Sequence, residues 1–205
     1  DNSVAAAALN TLDGKTSVAI NASNITTLSG SYSDLNTAFT ANSNGSISGL
    51  GNEAVSVSGA VTTSQANALA ADTSGVVTAT ISDGDMATLA GLTETGNAYT
   101  ITITDNSVAA AALNALDGKT SVAINANAIT TLTGAAADLN TAYTANGNGS
   151  ISGLNNEAVT LSDTTLAVSV LKDLDGNTSG AINASSINTL TGAAADLNTA
   201  YTANG

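Results

Sequence analysis

Histidine, cysteine, proline, tryptophan and arginine do not occur in this chain, and its cations are Lys15, Lys119 and Lys172 alone. Without His or Cys the usual general bases and thiol nucleophiles are missing. A Ser–Lys pair is formally left. However, Lys15 and Lys119 share one repeated turn, DGKTS, and a residue duplicated with its module serves geometry where catalysis needs a single centre. The chain is therefore read as no enzyme. Three cations against sixteen acids give a formal charge of −13. Such a surface does not neutralise phosphates, so nucleic acid is excluded as a partner, and an anionic membrane repels it. Absence of Cys removes any disulfide framework and fits an exported surface protein. No apolar run approaches the roughly 20 residues of a membrane-spanning helix, so no transmembrane segment is expected.

What the chain does contain is copies of itself. Residues 1–58 and 105–162 match at 46 of 58 positions, 104 residues apart. A second echo, 181–205 on 123–147, lies at an offset of 58 and includes the run TGAAADLNTAYTANG. Two offsets mean modules duplicated and then duplicated again, the mark of a stack of small units. The chain opens on Asp1 in mid-repeat and closes on TANG, which NGSISGL follows in the earlier copy. The expectation is one repeat array over 1–205, part of a longer one, whose partners are further repeats or other copies of itself.

Short alternating, β-branched segments recur: SVAIN (17–21), AVSVS (54–58), VVTATIS (76–82), AYTITIT (98–104), SVAIN (121–125), AVTLS (158–162) and GAIN (180–183). Each reads as a strand. Starts at 54, 76, 98 and 121 are 22 or 23 residues apart, then a gap of 37 precedes 158. Between strands lie Ala/Leu-rich stretches of helical character, each behind a polar cap candidate and ahead of Gly or Asn. Thr62 and Thr63 precede SQANALAA, Ser82 and Asp83 lead into DMATLAGL, and Asp105, Asn106 and Ser107 precede VAAAALNAL. Asp163 and two Thr precede LAVSVLKDL. Within the wide gap ITTL reads as helical or irregular, AAADLNTAY as a helix and SISGL as one short extra strand. The fold class expected is α/β: an elongated right-handed solenoid of parallel short strands and short helices in rungs of 22–24 residues. A parallel β-helix is the alternative. Alternation places Tyr99, Ile101 and Ile103 with Val77, Ala79 and Ile81 inside, closed over by Leu113, Leu116, Leu171, Leu174, Met86 and Leu89.

Two surfaces are candidate sites. Thr78, Thr80, Thr100, Thr102, Thr104 and Thr160 fall opposite the core residues, so stacked strands about 4.8 Å apart set them in hydroxyl ladders like those of ice-binding solenoids. Thr is also simply a good β-former for a solvated face. Asp83 and Asp85, in SDGD, form the densest acidic corner; they read first as helix N-caps and turn aspartates, and as candidate calcium ligands in the alternative, although the EF-hand and β-roll spacings are absent. No other cofactor is implied.

The phrases NAYTITITDNSVAAAALNALDGKT, ISGLxNEAVTLSDTTLAxSVL and INTLTGAAADLNTAYTANG resemble modules of giant repeat-rich surface proteins of marine cyanobacteria, among them a swimming-associated one. The resemblance implies an exported, multi-copy polypeptide at the cell surface or outside the cell, and it brings no catalytic residues. The functional expectation is a non-catalytic structural segment of a surface filament. An adhesive or ice-contacting Thr/Ser face and a calcium-stiffened adhesin segment are the alternatives.

Overall fold

The computed structural model describes residues 1–203, so the closing TANG motif lies partly outside it. The chain forms two compact units. Unit 1 holds residues 1–102 and 118–122, and unit 2 holds 103–117 and 123–205.

In unit 1 the order is β1 (Ser3–Ala5), α1 (Ala6–Asp13), β2 (Ile20–Asn21), β3 (Thr27–Gly30), α2 (Tyr32–Asn44), β4 (Ile47–Ser48), β5 (Ala54–Val61), α3 (Thr63–Asp72), β6 (Val77–Ile81), α4 (Met86–Leu89) and β7 (Ala98–Thr100). Strands β1, β3, β5, β6 and β7 make one sheet in that order, and β2 pairs with β4. Every pairing is parallel. The segments at 54, 76 and 98 thus lie side by side and point the same way.

Unit 2 runs β8 (Ser107–Ala109), α5 (Ala110–Asp117), β9 (Ile124–Asn125), β10 (Thr131–Gly134), α6 (Ala136–Asn148), β11 (Ile151–Ser152), β12 (Ala158–Leu161), β13 (Thr165–Ala167), α7 (Val168–Asn177), β14 (Ile182–Asn183), β15 (Thr189–Thr191) and α8 (Ala194–Ala203). Its sheets order as β14-β12-β10-β8, β11-β9 and β13-β15, again wholly parallel. Parallel neighbours need a crossover. Here each crossover contains one helix, and most contain a further short strand as well. Among the described residues the chain is thus α/β with parallel sheets, short helices and no closed barrel.

Spacing is less uniform than 22–24. Ser3 lies beside Thr27 and Thr27 beside Ala54, offsets of 24 and 27. Val55 beside Val77 and Thr80 beside Thr100 give 22 and 20. The wide gap before 158 disappears because ITTL is not helical: Thr131–Gly134 is a strand between β8 and β12. Its TLTG sequence is short, but Leu132 falls inward in register with Val108 and Val159, and that burial decides the conformation. Helices expected to start straight after Asp105-Asn106-Ser107 and Asp163-Thr-Thr instead begin two residues later, at Ala110 and Val168, because Ser107–Ala109 and Thr165–Ala167 are strands first. The SVAIN and GAIN strands shrink to their last two residues.

Local chemistry explains the elements. Ala-rich α1 and α5 need little capping, since Ala loses least on entering a helix. Polar α3 is instead closed by a capping box, in which Thr62 accepts from the Gln65 amide while the Gln65 side chain takes the Thr62 amide. Helices α2 and α6 stop at Gly45 and Gly149, with φ of +85° and +84°, the left-handed C-cap. Inside, one row of each sheet packs apolar residues in register: Leu28, Val55 and Val77 in unit 1, and Val108, Leu132 and Val159 in unit 2, all buried. Tyr99, Ile101 and Ile103 are buried as alternation predicts. Met86 and Leu171 are only half-buried.

Candidate functional site

Small polar side chains tie segments together, and three of these ties recur in unit 1 and unit 2. Asn10 Nδ2 donates to the Asp34 carbonyl at 2.9 Å, and Asn114 Nδ2 donates to the Asp138 carbonyl at 2.9 Å. Ser46 Oγ donates to Asp13 Oδ2, and Ser150 Oγ to Asp117 Oδ2, both at 3.0 Å. Thr73 and Thr178 each donate to a glutamate carbonyl, Glu53 and Glu157, at 2.7 Å. Helix α3 repeats the asparagine bridge, with Asn67 Nδ2 on the Gly91 carbonyl.

The aspartates of the acidic corner are helix caps. Asp83 Oδ2 accepts the amide of Thr63, twenty residues back at the first turn of α3, as Asp163 Oδ2 accepts the amide of Ala136 on α6. Asp85 Oδ1 accepts the Thr88 amide at 2.8 Å and caps α4. That amide, then the Thr88 hydroxyl, holds the Asp85 carboxyl below the usual carboxylate range. Both carboxylates thus satisfy first-turn N–H groups that have no partner within the helix. Among the described residues no three Asp or Glu gather as a metal cage.

The hydroxyl face is real but interrupted. Thr78, Thr80, Thr100, Thr102 and Thr104 are exposed, and Thr160 is half-buried. In unit 1 one row reads Ala5, Ser29, Ser56, Thr78, Ala98, and another reads Ala60, Thr80, Thr100. Thr80 therefore faces Thr100, whereas Thr78 faces Ala98. In unit 2 Thr160 sits between Thr133 and Asn183. Thr102 and Thr104 follow the end of β7.

Lys119 Nζ donates to the Thr93 carbonyl at 2.9 Å, tying its DGKTS turn to an earlier loop. Two buried carboxyl groups escaped the sequence reading. Glu53 and Glu157 are fully buried in front of β5 and β12. Glu53 Oε2 accepts the amides of Gly51 and Asn52, while Oε1 has no partner. Glu157 Oε1 accepts the Asn155 amide, and the Tyr143 hydroxyl donates to Oε2 at 3.4 Å. Their signal was the repeated NEAV, where an acid stands at the mouth of an apolar strand. The backbone of Gly75 passes the Glu53 carbonyl, and Gly180 the Glu157 carbonyl, so closely that a Cβ would overlap it. A cleft of about 740 Å³ opens at the last segments of unit 2, beside Leu171, Ile182, Ile187, Leu190 and Tyr201.

Among the described residues no helix is long and apolar enough to cross a membrane. Comparison with protein-family models, curated proteins and solved structures finds no match to this chain.

Proposed function

We propose that the chain is a structural repeat segment, a solenoid whose rungs add along one axis, serving as length and stiffness in an extracellular or cell-surface filament and carrying out no catalysis. One observation carries the reading: duplicated sequence reproduces a duplicated bonding scheme. Each module is held mainly by the segment 20–27 residues onward, through parallel strands and Asn, Ser and Thr bridges. Modules that draw their burial from neighbours add linearly, with stability a sum of rung and interface terms. The acidic, hydroxyl-rich exterior supports a hydrated wall. The breaks at Ala60 and Ala98 in its Thr rows favour that over an ordered contact lattice.

The test is small-angle scattering of the chain and of a tandem fusion of two chains. A rod of constant cross-section that doubles in length supports the proposal, and a compact particle refutes it. Electron microscopy of native surface material from the source cells then tests location: fibres bound by antibody to this chain are expected.

A further inference from the structure

We infer that Asn44 and Asn148 are sites of spontaneous deamidation, where the chain converts its own side chains to aspartate and isoaspartate, while the fold protects Asn146, which is equally prone by sequence. The reaction needs only water. The backbone nitrogen of the next residue attacks the Asn Cγ and a ring N–C bond forms. The bond from Cγ to the side-chain nitrogen breaks, and ammonia leaves with the proton of the attacking amide. Water then opens the succinimide on either side. A following glycine favours the attack, because no Cβ shields its nitrogen. Asn-Gly occurs at 44, 146, 148 and 204, the last outside the described residues.

Asn44 ends α2 and Asn148 ends α6, and both are exposed. Nothing among the described residues holds either side-chain amide. The attacking nitrogens belong to Gly45 and Gly149. The Gly45 N–H reaches the Asn42 carbonyl at 3.3 Å, and Gly149 shares its N–H between the Asn146 carbonyl at 3.2 Å and that of Ala145. Both distances lie at the long end of the hydrogen-bond range. A Cβ built on either glycine meets no atom within 4 Å, so the attack has room. Turning the Asn to bring Cγ onto that nitrogen unwinds only the last helical residue, and helix ends fray. Asn146 lies inside α6 instead. Its Nδ2 donates to the Leu154 carbonyl at 2.8 Å, and its Oδ1 accepts the Leu154 amide at 3.1 Å. Both bonds must open before Cγ can move, which slows the reaction about thirtyfold. Asn42 makes the same pair with Leu50, but Ser43 follows it. Each conversion adds a negative charge at the carboxyl end of a helix, where the dipole disfavours it. In unit 2 it also sets a second carboxylate on the shallow cavity that Asp117 and Asn148 line.

The test stores the full chain at mildly alkaline pH beside a sample unfolded in urea. Fragment-ion mass spectrometry follows both, with an isoaspartate-specific methyltransferase as the second readout. In the folded chain, positions 44 and 148 should convert about thirtyfold faster than 146. In urea the three should convert at similar rates. Asn148→Gln leaves Asn146 as the reactive residue of its peptide, and in the folded chain that peptide should stay unconverted. Three results overturn the proposal. One is folded-state conversion of Asn146 as fast as that of Asn148. Another is no folded-state conversion at 44 and 148 while the urea sample reacts. The third is an Asn146 that stays slow in urea, since sequence and not fold then protects it.

Discussion

The two copies differ at one telling place. Tyr143 on α6 gives its hydroxyl to Glu157, while Phe39 holds the same position on α2 and Glu53 keeps an oxygen without a partner. Both carboxyl groups are fully buried, and Phe39 is 3 % exposed. A buried polar atom left unsatisfied costs about 1–3 kcal/mol, whereas a hydrogen bond made in its place returns about 1 kcal/mol net. Tyr143→Phe should therefore destabilise unit 2 by about 1–2 kcal/mol, the lower part of that range because the bond is long. Phe39→Tyr should stabilise unit 1 by about 0.5–1 kcal/mol, since the hydroxyl enters a site the other copy already accommodates. Urea unfolding gives the totals, and amide exchange on β5 and β12 reads the two units separately. Faster exchange on β5 in Phe39→Tyr, or unchanged exchange on β12 in Tyr143→Phe, would show that the carboxyl groups do not need the hydroxyl, and the comparison between copies would fail.

The Tyr99 hydroxyl is buried with no partner, so Tyr99→Phe should raise stability by up to about 1 kcal/mol, the opposite sign to Tyr143→Phe, as read by the urea midpoint. Burial first, and then the charge of Glu94, pushes the Tyr99 phenol up to about 12, and burial does the same to Tyr143. Unfolded tyrosine titrates near 10, so between about pH 10 and 12 the unfolded chain holds fewer protons and stability should fall as pH rises; a urea midpoint unchanged across that window refutes this. Gly180→Ala must push a Cβ into the Glu157 carbonyl and should cost more than about 2 kcal/mol, while Gly176→Ala, with open space around it, should cost little by the same assay. Millimolar calcium should leave the melting temperature unchanged, because Asp83 and Asp85 already cap α3 and α4; a rise of several degrees that Asp85→Asn abolishes would restore the calcium reading.

Period-2 alternation with β-branched residues made β5, β6 and β7 readable, because a strand buried on one face writes that burial into every second residue. The inward set of Tyr99, Ile101 and Ile103 followed directly. The failures share a cause. ITTL, and the strands opening at Ser107 and Thr165, are three or four residues long and carry no period of their own, so neighbours 24 or 27 residues away decide them. Alanine misled further, since VAAAALNAL satisfies a helix throughout and yet gives its first residues to a parallel ladder. The acidic corner was legible as composition, and Asp83 as a cap candidate for the helix that follows it. Asp83 lies next to its own helix in sequence, but its carboxylate serves α3, a relation visible only once segments lie side by side.

Side-by-side segments within each unit present the same groups again and again: helix-start amides, turn carbonyls and strand mouths. Each can be met by a short side chain reaching one level across, as Asn10, Asn67 and Asn114 do between helices and Asp83 and Asp163 do between levels. Asn, Ser and Thr reach such neighbours with little rotamer freedom to lose, where Lys or Arg would lose up to about 2 kcal/mol each. Because the bridging groups come with the module, copying the module copies its bonds. Differences between copies, such as Phe39 against Tyr143, alter single bonds within an otherwise repeated scheme.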